Sequence, residues 1–171
     1  MEGETRRVLG VIRPTAECIG QITHSRHVGI LATSGTISSG SYPLEIRKLY
    51  PDIVVSGEAC PMWVPLVENY EYDSPGADYF VEKRIGNLLR KDPAIDTIVL
   101  GCTHYPLLLN KILKYTPRNV RIVPQGEYVA YSLKDYLQRH TEIETLCTQS
   151  GTCRFLTTES PDKFMESASI F

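Results

Sequence analysis

Short apolar runs alternate along this chain with longer stretches in which apolar residues recur every three or four positions. The first spacing suits buried strands and the second suits amphipathic helices. Val8 to Ile12 is the first predicted strand, ended by Pro14, and Thr15 to Thr23 reads as a helix. His27 to Thr33 gives a second strand, and the Ser34-Gly35-Thr36 turn leads to a helix containing Tyr42 to Leu49. Asp52 to Ser56 alternates as a strand, and a Cys60-Pro61 turn starts a helix over Met62 to Asn69. The turn Asp73-Ser74-Pro75-Gly76 precedes a helix from Ala77 to Leu89, closed by Pro93. Asp96 to Leu100 is a strand, Leu107 to Tyr115 a helix, Val120 to Val123 a strand and Tyr128 to Leu137 a helix. Arg139 to Gly151 lacks periodicity and reads as a loop, Arg154 to Thr157 as a short strand, and Lys163 to Phe171 as a terminal helix. This β-α alternation predicts an α/β fold on a mostly parallel sheet.

One junction carries chemistry. The apolar run Thr97 to Leu100 ends in Gly101-Cys102-Thr103-His104-Tyr105-Pro106, after which an amphipathic pattern begins. A thiol and an imidazole are thereby expected at the carboxyl end of a strand, the edge where open α/β sheets bind ligands. A cysteine beside a helix N-terminus feels the positive end of the macrodipole, so its pKa is expected below roughly 8.5. Thr103 and the Thr33-Ser34-Gly35-Thr36 turn lie at strand-to-helix junctions too. There, N–H groups and hydroxyls can meet a carboxylate, or the hydroxyls can simply cap helices.

Gly101-Cys102-Thr103-His104-Tyr105-Pro106 resembles the second-cysteine motif of glutamate racemases, enzymes that interconvert L- and D-glutamate without a cofactor. Val28 to Thr33 with Ser34-Gly35-Thr36, Glu58 to Pro61 with Pro65 to Glu68, and Phe155 to Thr158 resemble the same family in matching order. The resemblance runs from Val8 to Thr158. It implies a three-layer α/β domain of the aspartate/glutamate racemase type over residues 1–126. Residues 127–171 would be a segment returning to a second, incomplete domain of the same kind, leaving Tyr128, Leu133, Leu137, Phe155 and Leu156 without the sheet they cover. The family's Asp-Ser-Gly turn and its first catalytic cysteine, in an Asn-Thr context, do not occur in this sequence. The chain is therefore expected to hold one half of a catalytic pair.

Racemising an unactivated α-carbon requires an acid/base group on each face, because a single base returns the proton to the side it came from. Cysteine suits the task through its tunable pKa. The resemblance assigns Cys102 to the L-glutamate face, His104 to its support as base or electrostatic partner, and Glu68 to holding the imidazolium, with Glu71 as the competing carboxylate. It assigns Thr33, Thr36 and Thr103 to the substrate's carboxylates. His24, His27 and His140 read as structural or surface residues, and Cys60 as a packing residue.

Composition narrows the rest. With 42% hydrophobic and 22% charged residues, the 171-residue chain is ordinary for a globular protein. A net charge of −2 gives no electrostatic case for nucleic-acid binding. No apolar run approaches a membrane span. Met1 to Arg7 lacks the apolar core of a signal peptide, so the cytoplasm is the expected compartment. Five cysteines without a Cys-x-x-Cys spacing suggest free thiols rather than a metal site. No cofactor is expected, the expected partner is the small-molecule substrate glutamate, and a homo-oligomer stays open. Three other readings compete: a racemase of aspartate or another amino acid, a non-catalytic ligand-binding module, and a Cys/His thiol hydrolase or redox protein. The last needs an oxyanion hole or a resolving cysteine that the sequence does not name.

Overall fold

The computed structural model describes residues 8–149, 151–158 and 160–169. Met1 to Arg7, read above for a leader, and the last two residues of the expected terminal helix lie outside them. The chain forms two compact units, Met1–Asp135 and Tyr136–Phe171.

The first unit is built on four parallel strands, β1 (His27–Ala32), β2 (Val54–Ala59), β3 (Thr97–Leu100) and β4 (Arg121–Pro124), in the order β2-β1-β3-β4. β1 and β3 are central and buried almost throughout, which is why they read as unbroken apolar runs rather than alternating ones. β4 ends in Pro124, tolerated at an edge where one side of the ladder is open. Register aligns the strand ends: Ala32 pairs with Ala59, and Leu31 with Leu100.

Helices cover both faces. Val28, Ile30, Ala32, Val99 and Val123 pack with Ala16 and Ile19 of α1 (Ile12–Ile22) and with Tyr42 and Ile46 of α3 (Ser41–Leu49). α2 (Ser34–Ser39) precedes α3. α4 (Trp63–Glu68) and α5 (Pro75–Lys91) follow β2. The buried stripe of α5, Ala77, Val81, Ile85 and Leu88, recurs at helical spacing. Gly29 shows which face it meets, since a Cβ there would lie 2.7 Å from Leu88. A 3₁₀ turn, Tyr105–Leu108, leads into α6 (Leu109–Tyr115), and α7 spans Gly126–Arg139.

Four expectations need correction. Val8 to Val11 is not a strand: Val8 is 84% exposed and pairs with nothing in the sheet. α1 instead begins at Ile12, with Pro14 in its first turn, where the missing N–H costs nothing. β2 lies later than Asp52 to Ser56 because its pairing with β1 runs to Ala59, and Gly57 fits under Ile37. Tyr128 is not stranded without a sheet but packs, partly buried, against the α1/α3 core.

In the second unit, the stretch expected as a loop contains a helical turn, α8 (Thr141–Glu144), with Tyr136 and His140 stacked at 4.3 Å. Arg154 to Thr157 forms no strand among the described residues, and Phe155 and Leu156 are exposed. α9 covers Pro161–Ala168.

Candidate active site

Because the strand ends are in register, the chain leaves β1, β2 and β3 at one edge of the sheet. The ladder continues one residue further, through Cys60 N–H to the Ala32 carbonyl and Gly101 N–H to the Leu31 carbonyl, both 2.8 Å. Thr33, Cys60 and Cys102 therefore sit together at the carboxyl edge, where ligands bind in folds of this class.

After Gly101 the chain turns tightly, with Tyr105 N–H donating to the Cys102 carbonyl at 3.3 Å. This turn brings His104 back toward the thiol: Cys102 Sγ lies 3.9 Å from His104 Nδ1. The other imidazole nitrogen, Nε2, is 3.3 Å from Glu68 Oε1 at the end of α4. Glu68, rather than Glu71, is the carboxylate at the imidazole. A carboxylate on Nε2 favours the tautomer protonated there and leaves the Nδ1 lone pair facing the thiol. The three groups can pass and hold a proton.

The thiol's own electrostatics differ from expectation. Burial pushes Cys102 above the ordinary cysteine value; the N–H groups of His104 and Tyr105 pull it down, and the Glu68 charge adds to the rise. The expected depression fails because a short 3₁₀ turn, not an α-helix, begins beside the cysteine. Its few aligned dipoles do not outweigh desolvation.

Thr33 caps α2: its hydroxyl accepts from Thr36 N–H at 3.3 Å and lies 3.0 Å from the Thr36 hydroxyl. These bonds join the two threonines to each other rather than to the Cys102–His104–Glu68 chain. Thr103 is exposed on the turn. Among the described residues, no group of three or more His, Cys, Asp or Glu side chains could hold a metal ion, and no helix is long and apolar enough to cross a membrane.

Cys60 is fully buried, and burial pushes its thiol far up, as a packing residue requires. The Tyr105 hydroxyl donates to the Cys60 carbonyl at 3.3 Å while its ring meets Trp63 edge-on at 4.7 Å. Sequence reasoning missed two polar residues under the edge. Tyr42 donates to Gln125 Oε1 at 2.8 Å, and Gln125 Nε2 donates to Thr15 at 2.9 Å. The only signal was a phenol within the apolar stripe of a helix, and a buried hydroxyl needs a partner.

The chain is similar to known proteins over most of its length. The chain is 36% identical over 160 residues to a glutamate racemase of Thermoanaerobacter sp., covering 94% of this chain and 59% of that protein. A glutamate racemase isoform from Bacillus anthracis superposes with a TM-score of 0.85 at 35% identity, over 95% of this chain and 60% of that one. The Francisella tularensis glutamate racemase, solved in complex with D-glutamate, gives 0.80 at 26% identity over 94% and 57%. The chain thus spans about three-fifths of the length of these relatives. Residues 7–127 match the family described as Asp/Glu/Hydantoin racemase. With most of its length matched in this way, the chain belongs to the Asp/Glu/hydantoin racemase family.

Proposed function

We propose that this chain is the larger part of a cofactor-independent glutamate racemase and supplies one of its two acid/base groups. Cys102 removes or returns the proton on the L-glutamate face. His104 takes up the thiol proton through Nδ1, and Glu68 holds the resulting imidazolium. The observation that carries this reading is the Sγ–Nδ1 approach of 3.9 Å continued by the Nε2–Oε1 contact of 3.3 Å. Thr33, Thr36 and Thr103 surround the strand ends where a dicarboxylate substrate would lie. That relatives over this length are glutamate racemases, one of them solved with D-glutamate, favours glutamate over aspartate.

In this reading residues 1–126 form the second α/β domain and residues 127–171 return to the first. The product, D-glutamate, serves peptidoglycan synthesis, and hence cell-wall biogenesis and cell shape, in the cytoplasm. In this reading the other acid/base group is the family's first cysteine, whose Asn-Thr context does not occur in these 171 residues, so on its own the chain is not a competent racemase.

The test is incubation with L-glutamate in deuterated water, following α-proton exchange by NMR and D-glutamate by chiral chromatography. The expected result is no D-glutamate from the chain alone, and racemisation once the remaining portion of the Thermoanaerobacter relative is added. Loss of that restored activity in Cys102→Ser supports the assignment. Deuterated D-glutamate from the chain alone, or a Cys102→Ser variant that still racemises after complementation, would overturn it.

A further inference from the structure

The Tyr42 ring lies against the last residue before the thiol. A Cβ placed on Gly101 would come within 3.1 Å of both Cε2 and the hydroxyl oxygen of Tyr42, and within 3.1 Å of Ala32. Gly101 is thus pinned between the phenol and the end of β1, while its N–H continues the ladder to Leu31. The phenol is itself anchored. Its hydroxyl donates to Gln125, just past β4, and Gln125 donates to Thr15 of α1, so three elements meet behind Cys102. Tyr42 is only 3% exposed.

We propose that Tyr42 is a positioning residue for Cys102: its tethered ring fixes the exit of β3 and keeps water from the inner side of the thiol. This rests on the reading of Cys102 as the acid/base group. Its physical content is independent of substrate. Burial pushes the Tyr42 hydroxyl up to about 12, and a thiolate at Cys102 raises it further, so the two groups sense each other. Burial is also the leading cause of the raised Cys102 thiol. Removing the ring admits water and brings the thiol back toward the ordinary cysteine value.

The experiment is the pH dependence of iodoacetamide alkylation at each cysteine of the full chain, read by mass spectrometry, with exposed Cys147 and Cys153 as internal references. Tyr42→Ala is expected to lower the Cys102 midpoint and to raise its alkylation rate at neutral pH by about threefold or more, leaving the references unmoved. Tyr42→Phe, which keeps the ring and loses the tether, shifts the midpoint the same way by less, and it decides the matter where the alanine variant fails to fold. Ile46→Val, also in the α3 core, lowers thermal stability without moving the midpoint. An unchanged Cys102 midpoint in folded Tyr42 variants overturns the positioning role while leaving Cys102 as the acid/base group. That assignment falls separately, through a Cys102→Ser variant that still racemises after complementation.

Discussion

Glu68 Oε1 stands 3.3 Å from His104 Nε2, although one residue ends α4, which follows β2, and the other lies in the turn after β3. The Glu68 side chain is 61% exposed, so the pair gains little stability. Its consequence is electrostatic: the Glu68 charge contributes to the raised Cys102 thiol, behind burial. Glu68→Gln therefore lowers the pH midpoint of Cys102 alkylation where the carboxylate acts directly on the thiol; a raised midpoint would mean that it acts through the His104 imidazolium. The effect shrinks in about 1 M salt, where screening length falls to roughly 3 Å. A salt-independent shift would mean that the carboxylate acts through the fold rather than through charge.

The core elements and the Cys102–His104 turn were legible because their signals are local. β1 and β3 are buried on both faces, and the Cys102–His104 approach needs only a tight turn between neighbours in sequence. What the sequence hid depends on distant partners. Val8 to Val11 carries a strand's composition, yet no neighbour in the sheet accepts it. The Cys102 thiol reads as activated from its place after a strand, but desolvation by surrounding elements decides its pKa. Tyr42 and Gln125, 83 residues apart, meet only once the sheet has formed.

At the opposite end of β3, Asp96 latches the connection between α1 and β1. It accepts from the Thr23 hydroxyl at 2.6 Å, from His24 and Ser25 N–H at 2.7 and 2.6 Å, and from Thr97 at 2.9 Å. Burial alone would raise this carboxyl, but these donors outweigh it and hold it well below the usual carboxylate range. A depressed folded-state pKa contributes stability that is fully present above the unfolded value of about 3.9 and is lost as pH falls toward the folded one. Asp96→Asn is expected to destabilise the chain by about 1–3 kcal/mol at neutral pH. In urea unfolding the gap to wild type narrows steadily below about pH 4; a constant gap would assign the loss to geometry rather than charge.

Two caps distinguish stability from binding. Ser74 accepts from Ala77 N–H at 3.2 Å at the start of α5, ahead of Pro75, and is not one of the residues proposed to meet the substrate. Ser74→Ala should cost about 1 kcal/mol of stability, and Ser74→Asp should recover most of it. Thr33→Ala removes the equivalent bond at α2, so it carries a similar cost. If Thr33 also contacts the substrate, only this second variant weakens glutamate binding in the complemented enzyme, as read by isothermal calorimetry. Equal affinity in both variants would leave Thr33 as a cap alone.

Gly29 lies mid-strand in β1 beneath α5, where a Cβ would sit 2.7 Å from Leu88 Cδ2, 3.2 Å from Ile98 and 3.3 Å from Ile95. All three neighbours are buried, so none can swing into solvent. Gly29→Ala must push α5 away from the sheet or force Leu88 off its rotamer, at about 1–3 kcal/mol. Leu88→Ala alone leaves a cavity and costs about 2–5 kcal/mol. Combined, the new methyl occupies part of the space Leu88 vacates, so the double variant is more stable than the sum of the two losses. Denaturant unfolding of all four proteins measures that coupling, which contacting residues show at about 0.5–3 kcal/mol. Additive losses would mean that α5 does not rest on Gly29.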